Sequence, residues 1–439
     1  MRILLASAAL TVLALVNCAQ TPSGCNGKRN DMPVLDLPAN TLKTVANGQS
    51  WLMDDGGSNI LYIAKVSGTA YEMGRAYGEL FKEELQTQIK YGDRMYPSIM
   101  HDILDDYGVP QFVLDVLTED QLLTLAEIAL DINFKVALPY IPDRFVLEMK
   151  GIADGSGIEL NEIIRLNLLP ELTQAHCTVV GAWEPATKDN RLLHLRALDW
   201  DAFAPINQYP LIVLYEPSEP GSIPFANIGY LGLIGTLTGM SKIGITVGEK
   251  VMIVNNPDSY PEVPQFTYQG KPWMFVLRDT LQFAKSMREV QYSLLSARRT
   301  MKIHGGWSSL PDNTFLGMDY AANFVSFYSD TNYTMYNPYS HPQLDGIFFL
   351  DKHSQPSGDP CLPNTLSASY GHITPETLYR DVVGFSQTGD NKWTVMDPAS
   401  QELWTAWSQY DAQVNAFERS PIHVRLNDFW TEKANNQDE

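Results

Sequence analysis

The sequence predicts an α+β fold in one body, helical at first and then mixed strand and helix. Three observations carry that expectation. Between Tyr96 and Pro170 the apolar residues fall almost throughout at helical spacing. At Cys177 the pattern changes to two β-rich stretches, Cys177 to Trp183 and Leu192 to Trp200. They are joined by the polar turn Glu184 to Asn190 and read as a hairpin that begins at the cysteine. No repeat, low-complexity tract or linker divides the chain, so helices followed by strands point to packed layers.

Taken in order, residues 20–50 are polar, rich in Asn, Pro and Gly, and read as an irregular leader. Asn59 to Val66 reads as a strand. Gly68-Thr69-Ala70-Tyr71-Glu72-Met73-Gly74 then opens a helix, with Met73, Tyr77, Leu80, Phe81, Leu85 and Ile89 at helical spacing. Thr118 and Gln121 form a capping box for the run Leu122 to Phe134. Val109 to Leu117 and Phe134 to Ile141 are apolar and contain proline. They read first as core and second as ridges making transient contact with a membrane surface. Glu148 to Gly157 reads as a glycine-punctuated turn before a helix at Glu159 to Leu169, and its spacing fits neither a P-loop nor a dinucleotide fingerprint. Beyond the hairpin, strands are expected at Leu211 to Tyr215 and through Leu231 to Val247. Helices are expected at Trp273 to Ala284 and Met287 to Arg299. Short strands follow at Phe315 to Met318, Phe324 to Tyr328 and Gly346 to Leu350, then the pair Trp393 to Met396 and Leu403 to Trp407.

Hydrophobic residues make up 44% of the 439, enough for a large core, and charged residues 19%, which argues against wholesale disorder. The net charge of −20 repels nucleic acid and anionic membranes, so nucleic acid is not an expected partner. Met1-Arg2, the apolar run Ile3 to Val16 and the exit Asn17 to Gln20 have the layout of a secretory signal peptide over residues 1–19, cut after Cys18 or Ala19. That apolar run is shorter than the roughly 20 residues a membrane span needs. The expected location is therefore secreted or lysosomal, where the sequon Asn332-Tyr333-Thr334 is a glycosylation candidate. Removing the leader leaves Cys25, Cys177 and Cys361. The economical arrangement is a Cys25–Cys361 disulfide with Cys177 as a free, reactive thiol; the alternative is three buried, inert thiols. The eight histidines are scattered and no Cys/His spacing fits a metal, so neither metal nor organic cofactor is expected.

The chemistry-bearing segment is His176-Cys177-Thr178, followed by Leu195-Arg196-Ala197-Leu198-Asp199-Trp200. With Gly68 to Gly74, the Lys150-Gly151-Ile152-Ala153-Asp154-Gly155 stretch, Gly229-Tyr230-Leu231-Gly232 with Leu237-Thr238-Gly239, Gly248-Glu249-Lys250, and Thr394-Val395-Met396-Asp397-Pro398, it resembles a known superfamily. This is the N-terminal-nucleophile amidohydrolases, typified by acid ceramidase, N-acylethanolamine acid amidase and the penicillin acyltransferases. The resemblance covers about residues 60–410 and rests on the order of the motifs along the chain. In that superfamily a Cys-Thr or Cys-Ser pair starts the catalytic chain, and an Arg-x-x-Asp ends the second strand of the hairpin.

The resemblance implies a four-layer αββα sandwich. It also implies a precursor that cuts itself between His176 and Cys177 into an α chain, 20–176, and a β chain, 177–439, which together form one catalytic domain. Cys177 would be the nucleophile, Arg196 would stabilise its thiolate, Asp199 would hold the new ammonium, and Glu249 would assist cleavage or position the amine. The chemistry is coherent without the family. A thiol with a pKa of about 8.5 is a weak nucleophile until deprotonated, and a freed α-amine of about 7.7–8.0 is a suitable base beside it. Residues three apart on a strand face opposite sides, so Asp199 must lie where its strand bends or ends. Relatives carry Thr-Asn-Tyr or Thr-Asn-His on a later strand to hold the oxyanion. Here Asp351-Lys352-His353 stands there, making Lys352 the candidate donor. The expected substrate is a small-molecule or lipid amide, an N-acyl lipid or N-acyl amino acid, hydrolysed through an acyl-cysteine. Alternatives are an inactive scaffold of the same fold, and ester hydrolysis or acyl transfer by the same thiol. An ordinary Arg196–Asp199 salt bridge is the purely structural alternative.

Overall fold

The computed structural model describes residues 21–430 apart from 107, 174, 203, 256–259, 261, 333–341 and 411. The expected signal peptide and residues Tyr333 and Thr334 of the sequon lie outside the described residues. The chain begins with a hairpin, β1 (Ala39–Val45) and β2 (Gly48–Asp54), which corrects the expected irregular leader. Asn47 makes its turn with φ of 62°. Because β1 is almost wholly exposed at a sheet edge, it carries no apolar alternation to announce itself. β3 (Ile60–Gly68) pairs with β2 and leads into α1 (Ala70–Leu80). Thr69 caps that helix: Glu72 N–H donates to its hydroxyl at 3.3 Å while Thr69 N–H donates to Glu72 Oε2 at 2.8 Å.

Helices α2 (Lys82–Asp106), α3 (Gln111–Leu114), α4 (Glu119–Ala137), α5 (Asp143–Ser156) and α6 (Leu160–Leu168) follow. The expected capping box starts α4, with Gln121 N–H donating to the Thr118 hydroxyl at 3.3 Å and Thr118 N–H to Gln121 Oε1 at 2.9 Å. The glycine stretch after Glu148 is not a turn but part of α5. A methyl on Gly151 would lie 2.3 Å from the Tyr71 carbonyl oxygen and one on Gly155 2.4 Å from that of Arg75. On α1, Gly74 and Gly78 meet the Glu148 and Ile152 carbonyls just as closely, at 2.0 and 2.4 Å. The glycines let two backbones touch, and that contact offsets their poor helix propensity. Only Gly157, at φ of 76°, is punctuation: it caps α5 in the left-handed region.

From β4 (His176–Ala182) onward the chain is mostly strand: β5 (Leu193–Asp199), β6 (Pro210–Pro217), β7 (Phe225–Tyr230), β8 (Thr238–Ser241) and β9 (Ile245–Val251). The stretch Leu231 to Leu237 is a loop where strand was expected. Helices α7 (Trp273–Phe283) and α8 (Met287–Ser296) precede β10 (Ile303–Ser309), β11 (Thr314–Tyr320), β12 (Val325–Tyr328) and β13 (Ile347–Leu350). Helix α9 (Cys361–Ala368) and a π-helix (Thr377–Val382) running into α10 (Val383–Ser386) come before β14 (Lys392–Asp397), β15 (Glu402–Trp407) and β16 (Ile422–Arg425).

The strands form two sheets. One has ten strands in the order β1-β2-β3-β6-β7-β8-β9-β10-β11-β12, the other six in the order β13-β4-β5-β14-β15-β16. Every neighbouring pair is antiparallel except β3 and β6, which run parallel. Side-chain alternation then makes four layers. Val66, Val213, Val247 and Trp307 of the large sheet pack against α1, α5, α7 and α8. Ile63, Ile212 and Ile228 meet Cys177, Leu198, Met396 and Trp407 between the sheets. Val180, Leu195 and Val395 pack outward against α9 and the π-helix. This is the αββα sandwich, and its middle layer holds the cysteine.

Candidate active site

Cys177 is the second residue of β4, fully buried, and its side chain points between the sheets. Its partner strand β5 turns His194, Arg196 and Leu198 into the same layer. Arg196 Nη2 donates to the Cys177 sulfur at 3.4 Å and to Glu249 Oε1 at 2.5 Å, while its Nε donates to the Glu249 carbonyl at 3.2 Å. The guanidinium crosses to β9 because Gly248 has no side chain: a methyl there would sit 2.8 Å from Arg196 Cβ. Arg196 Nη1 and Glu249 Oε2 have no partner among the described residues, although both are buried. Such orphaned charged atoms are costly unless a reacting group uses them.

Asp199 ends β5, as its offset from Arg196 required, and does not pair with that arginine. Its Oδ2 accepts from the Thr388 hydroxyl at 2.6 Å, and its Oδ1 from Gly389 N–H at 2.9 Å. Thr388 also bonds the Thr178 hydroxyl at 2.7 Å, which ties the carboxylate to the residue after the nucleophile. Burial pushes Asp199 upward, and the Lys352 charge opposes that. Lys352 is therefore on the Asp199 side of the site. Its ammonium donates to the Gln387 carbonyl at 2.7 Å, so what it offers His176 is its own carbonyl, which accepts from His176 Nδ1 at 2.9 Å and from Lys250 Nζ at 3.2 Å.

Electrostatics in this buried setting keep the thiol quiet. Burial pushes Cys177 up to about 12, with Arg196 pulling down and Glu249 pushing up. Burial likewise raises Glu249, and the guanidinium beside it holds back part of that rise. Lys250 and Lys392, both buried, are pushed down for the same reason. Lys392 donates to the Ile228 carbonyl at 2.5 Å and lies over the rings of Tyr230 and Trp407. Asp390, beside Asp199, is raised to about 7, first by burial and then by its neighbour's charge. Thr388, Asp390 and Lys392 were not read from the sequence, where they form a polar run that resembles a solvated turn. Lys250 carried a signal, lying beside Glu249 in a recognised motif.

Above the Arg196–Glu249 pair is a small cavity of about 50 Å³, walled by Leu198, Trp200, Tyr230, Leu233 and Trp273. Leu169, Pro170, Thr173 and Ala175, from the segment just ahead of His176, also line it. Of the other expected residues, Cys25 and Cys361 form a disulfide, as the cysteine count suggested. Asn332 is exposed, its side-chain oxygen accepting from Ser329 N–H at 2.5 Å. Asp351, His353 and Asp359 gather within 4.8 Å, with His353 Nδ1 3.5 and 3.4 Å from the two carboxylates; their ion pairs account for that cluster.

No family model matches the chain. Dictyostelium discoideum protein dcd1B is 33% identical over 371 residues, 83% of this chain and 71% of that protein. Dictyostelium discoideum protein dcd1A is 30% identical over 442 residues, 96% of this chain and 97% of that protein. The chain belongs to the family of dcd1A and dcd1B. Beyond that family, mouse acid ceramidase is 27% identical over 176 residues, 36% of this chain and 42% of that protein. Among solved structures, a Caenorhabditis elegans N-acylethanolamine-hydrolyzing acid amidase ortholog matches 56% of this chain and all of its own at 14% identity, with a TM-score of 0.37. A conjugated bile acid hydrolase from Clostridium perfringens matches 57% of this chain and 93% of its own at 12% identity, with a TM-score of 0.33. These relatives are the N-terminal-nucleophile group that the motifs of the dcd1A and dcd1B family member resemble. The layer order described above, and not these partial superpositions, identifies the fold.

Proposed function

We propose that the chain is a self-processing cysteine amidohydrolase that cuts its own His176–Cys177 bond and then hydrolyses a linear N-acyl amide. The observation that carries this reading is the pairing of a buried thiol at a strand start with Arg196, which is itself bonded to Glu249. In the first reaction Cys177 Sγ attacks the His176 carbonyl carbon. The S–C bond forms, the C–N bond breaks, and the thiol proton ends on the departing amine. Water then hydrolyses the thioester. Arg196 Nη1, a donor without a partner, is placed to stabilise developing negative charge, and Glu249 Oε2 to accept from the new ammonium. Asp199, held by Thr388 and Gly389, serves the same ammonium from the other side. The freed α-amine then acts as base for the thiol in each turnover.

Support for an acylated substrate comes from the apolar wall of the cavity over the Arg196–Glu249 pair and from the names of the relatives, an acid ceramidase and an N-acylethanolamine-hydrolyzing acid amidase. Secretion or lysosomal residence is supported by the Cys25–Cys361 disulfide, since such bonds persist in oxidising compartments. The test is to incubate the protein and its Cys177→Ala variant at about pH 5 and pH 7 and to sequence any fragment from its N-terminus. A fragment beginning at Cys177, absent from the variant, is expected. Intact chain under both conditions would move the inactive scaffold to first place. Amide and ester analogues of one acyl chain then separate the remaining chemistries.

A membrane-surface partner belongs to the same proposal. Phe112 and Val116 are more than 70% exposed, and Leu125, Ile128 and Ile132 form an exposed apolar stripe along α4. Among the described residues no helix is long and apolar enough to cross a membrane, so this contact would be peripheral. Co-sedimentation with zwitterionic vesicles that is lost in Phe112→Ser/Ile128→Ser is the expected result. Equal sedimentation of both proteins would remove the contact.

A further inference from the structure

The segment between α6 and the scissile bond is pinned at one buried point. Glu171, in the 3-10 turn Leu169–Glu171, has no exposed surface. Its Oε1 accepts from Trp273 N–H at 2.9 Å and from the Thr300 hydroxyl at 2.9 Å. Trp273 is the first residue of α7, where a backbone N–H finds no partner within the helix. The Trp273 indole also donates to the Pro170 carbonyl at 3.4 Å, doubling the attachment. Downstream, His176 is held by the Lys352 carbonyl. Thr173 lines both the cavity over Arg196 and a second one of about 360 Å³, whose wall also includes Glu171, Leu172 and Trp200.

We propose that Glu171 is a positioning residue for self-cleavage, strapping the segment ahead of the scissile bond to the start of α7 so that the His176 carbonyl is presented to Cys177. The proposal rests on the self-cleavage reading above. A peptide fixed at both ends has little orientational freedom left to lose on reaching attack geometry. A carboxyl suits the post because it accepts from two buried donors at once, and without it the Thr300 hydroxyl keeps only the Lys271 carbonyl at 3.5 Å. Burial pushes Glu171 up to about 7, so a neutral acceptor of the same shape is a fair substitute.

The strap is tested first in uncleavable Cys177→Ala protein by hydrogen exchange over residues 169–175. Adding Glu171→Ala is expected to speed exchange there by about tenfold or more. Glu171→Gln, which keeps an acceptor oxygen, is expected to leave exchange near the parent's. Equal protection in Glu171→Ala and the parent overturns the proposal whatever the chain's activity. In cleavable protein, Glu171→Ala should slow the appearance of the Cys177 fragment by about tenfold or more, with Glu171→Gln restoring the rate. Thr300→Val, which removes one donor and leaves the carboxyl in place, should slow it less and serves if Glu171→Ala does not fold. Cleavage of Glu171→Ala at the parent rate also overturns the proposal. A parent that stays uncut removes the self-cleavage reading and the positioning role together, while the exchange result still decides the strap.

Discussion

The Cys177 thiol has Arg196 at 3.4 Å and no water-exposed surface, and these two facts act in opposite directions on its proton. Desolvation wins, raising the group from 9.0 to about 12. The linkage has a definite sign. Between those values an unfolded chain sheds the thiol proton and the folded chain keeps it, so stability is lost as pH rises through that window, by at most about 1.4 kcal/mol per unit. Urea midpoints at pH 8 and pH 10 should therefore fall further for the parent than for Cys177→Ala; equal falls would mean the thiol is not desolvated as described. At this scale the sequence was legible where chemistry sits in a local motif, as with Cys177, Arg196 and Glu249. It was opaque where long-range pairing makes the site. Gly389 serves Asp199 from 190 positions away, and nothing near Thr388 announces that. Lys352 shows the same limit, since its expected role came from its place in a motif and its ammonium is bonded to Gln387.

Among the elements, the α1–α5 crossing was the hardest to foresee. Gly151 and Gly155 read locally as a turn because glycine lowers helix propensity, yet facing Gly74 and Gly78 they permit backbone contact between the two helices. Gly151→Ala should therefore destabilise despite alanine's better propensity, by about 1–3 kcal/mol, because the helices must part. Chemical denaturation checks this, and an unchanged or raised midpoint would count against the close crossing. Strands were legible when rich in apolar residues and bounded by a polar turn, as β4 and β5 are, both buried almost throughout. β1 escaped because it is exposed, and β10 because its run Ile303-His304-Gly305-Gly306-Trp307 breaks the alternation with two glycines. Those glycines make room for Phe315 and Met318, a tertiary reason invisible locally.

Across the whole molecule, several buried carboxyls hold protons more tightly than free ones. Glu171 and Asp390 rise from 4.5 and 3.8 to about 7, so the stability they contribute is full below the lower values and lost as pH rises through 7. His194, lowered from 6.5 to about 3, acts the other way, losing its contribution as pH falls through that window. Two groups outweigh one between pH 7 and pH 5, and partial neutralisation of the −20 net charge adds to them. The melting temperature should be higher at pH 5 than at pH 7.5, by about 2–3 °C. Calorimetry at the two values decides it, and a lower melting temperature at pH 5 would remove this support for an acidic compartment.

The ten-stranded sheet draws β1, β2 and β3 from before Cys177 and its other seven strands from after it, joined along the parallel β3–β6 seam. A chain cut at Cys177 would thus be a joined pair, separable only by parting the β3–β6 seam of this sheet, while Cys177 itself sits on β4 of the other sheet. Its Cys25–Cys361 tie would keep the halves in one another's reach through such parting, so reassembly would depend on concentration only after reduction. The intact precursor would then be the one form in which the fold can assemble as a single thread.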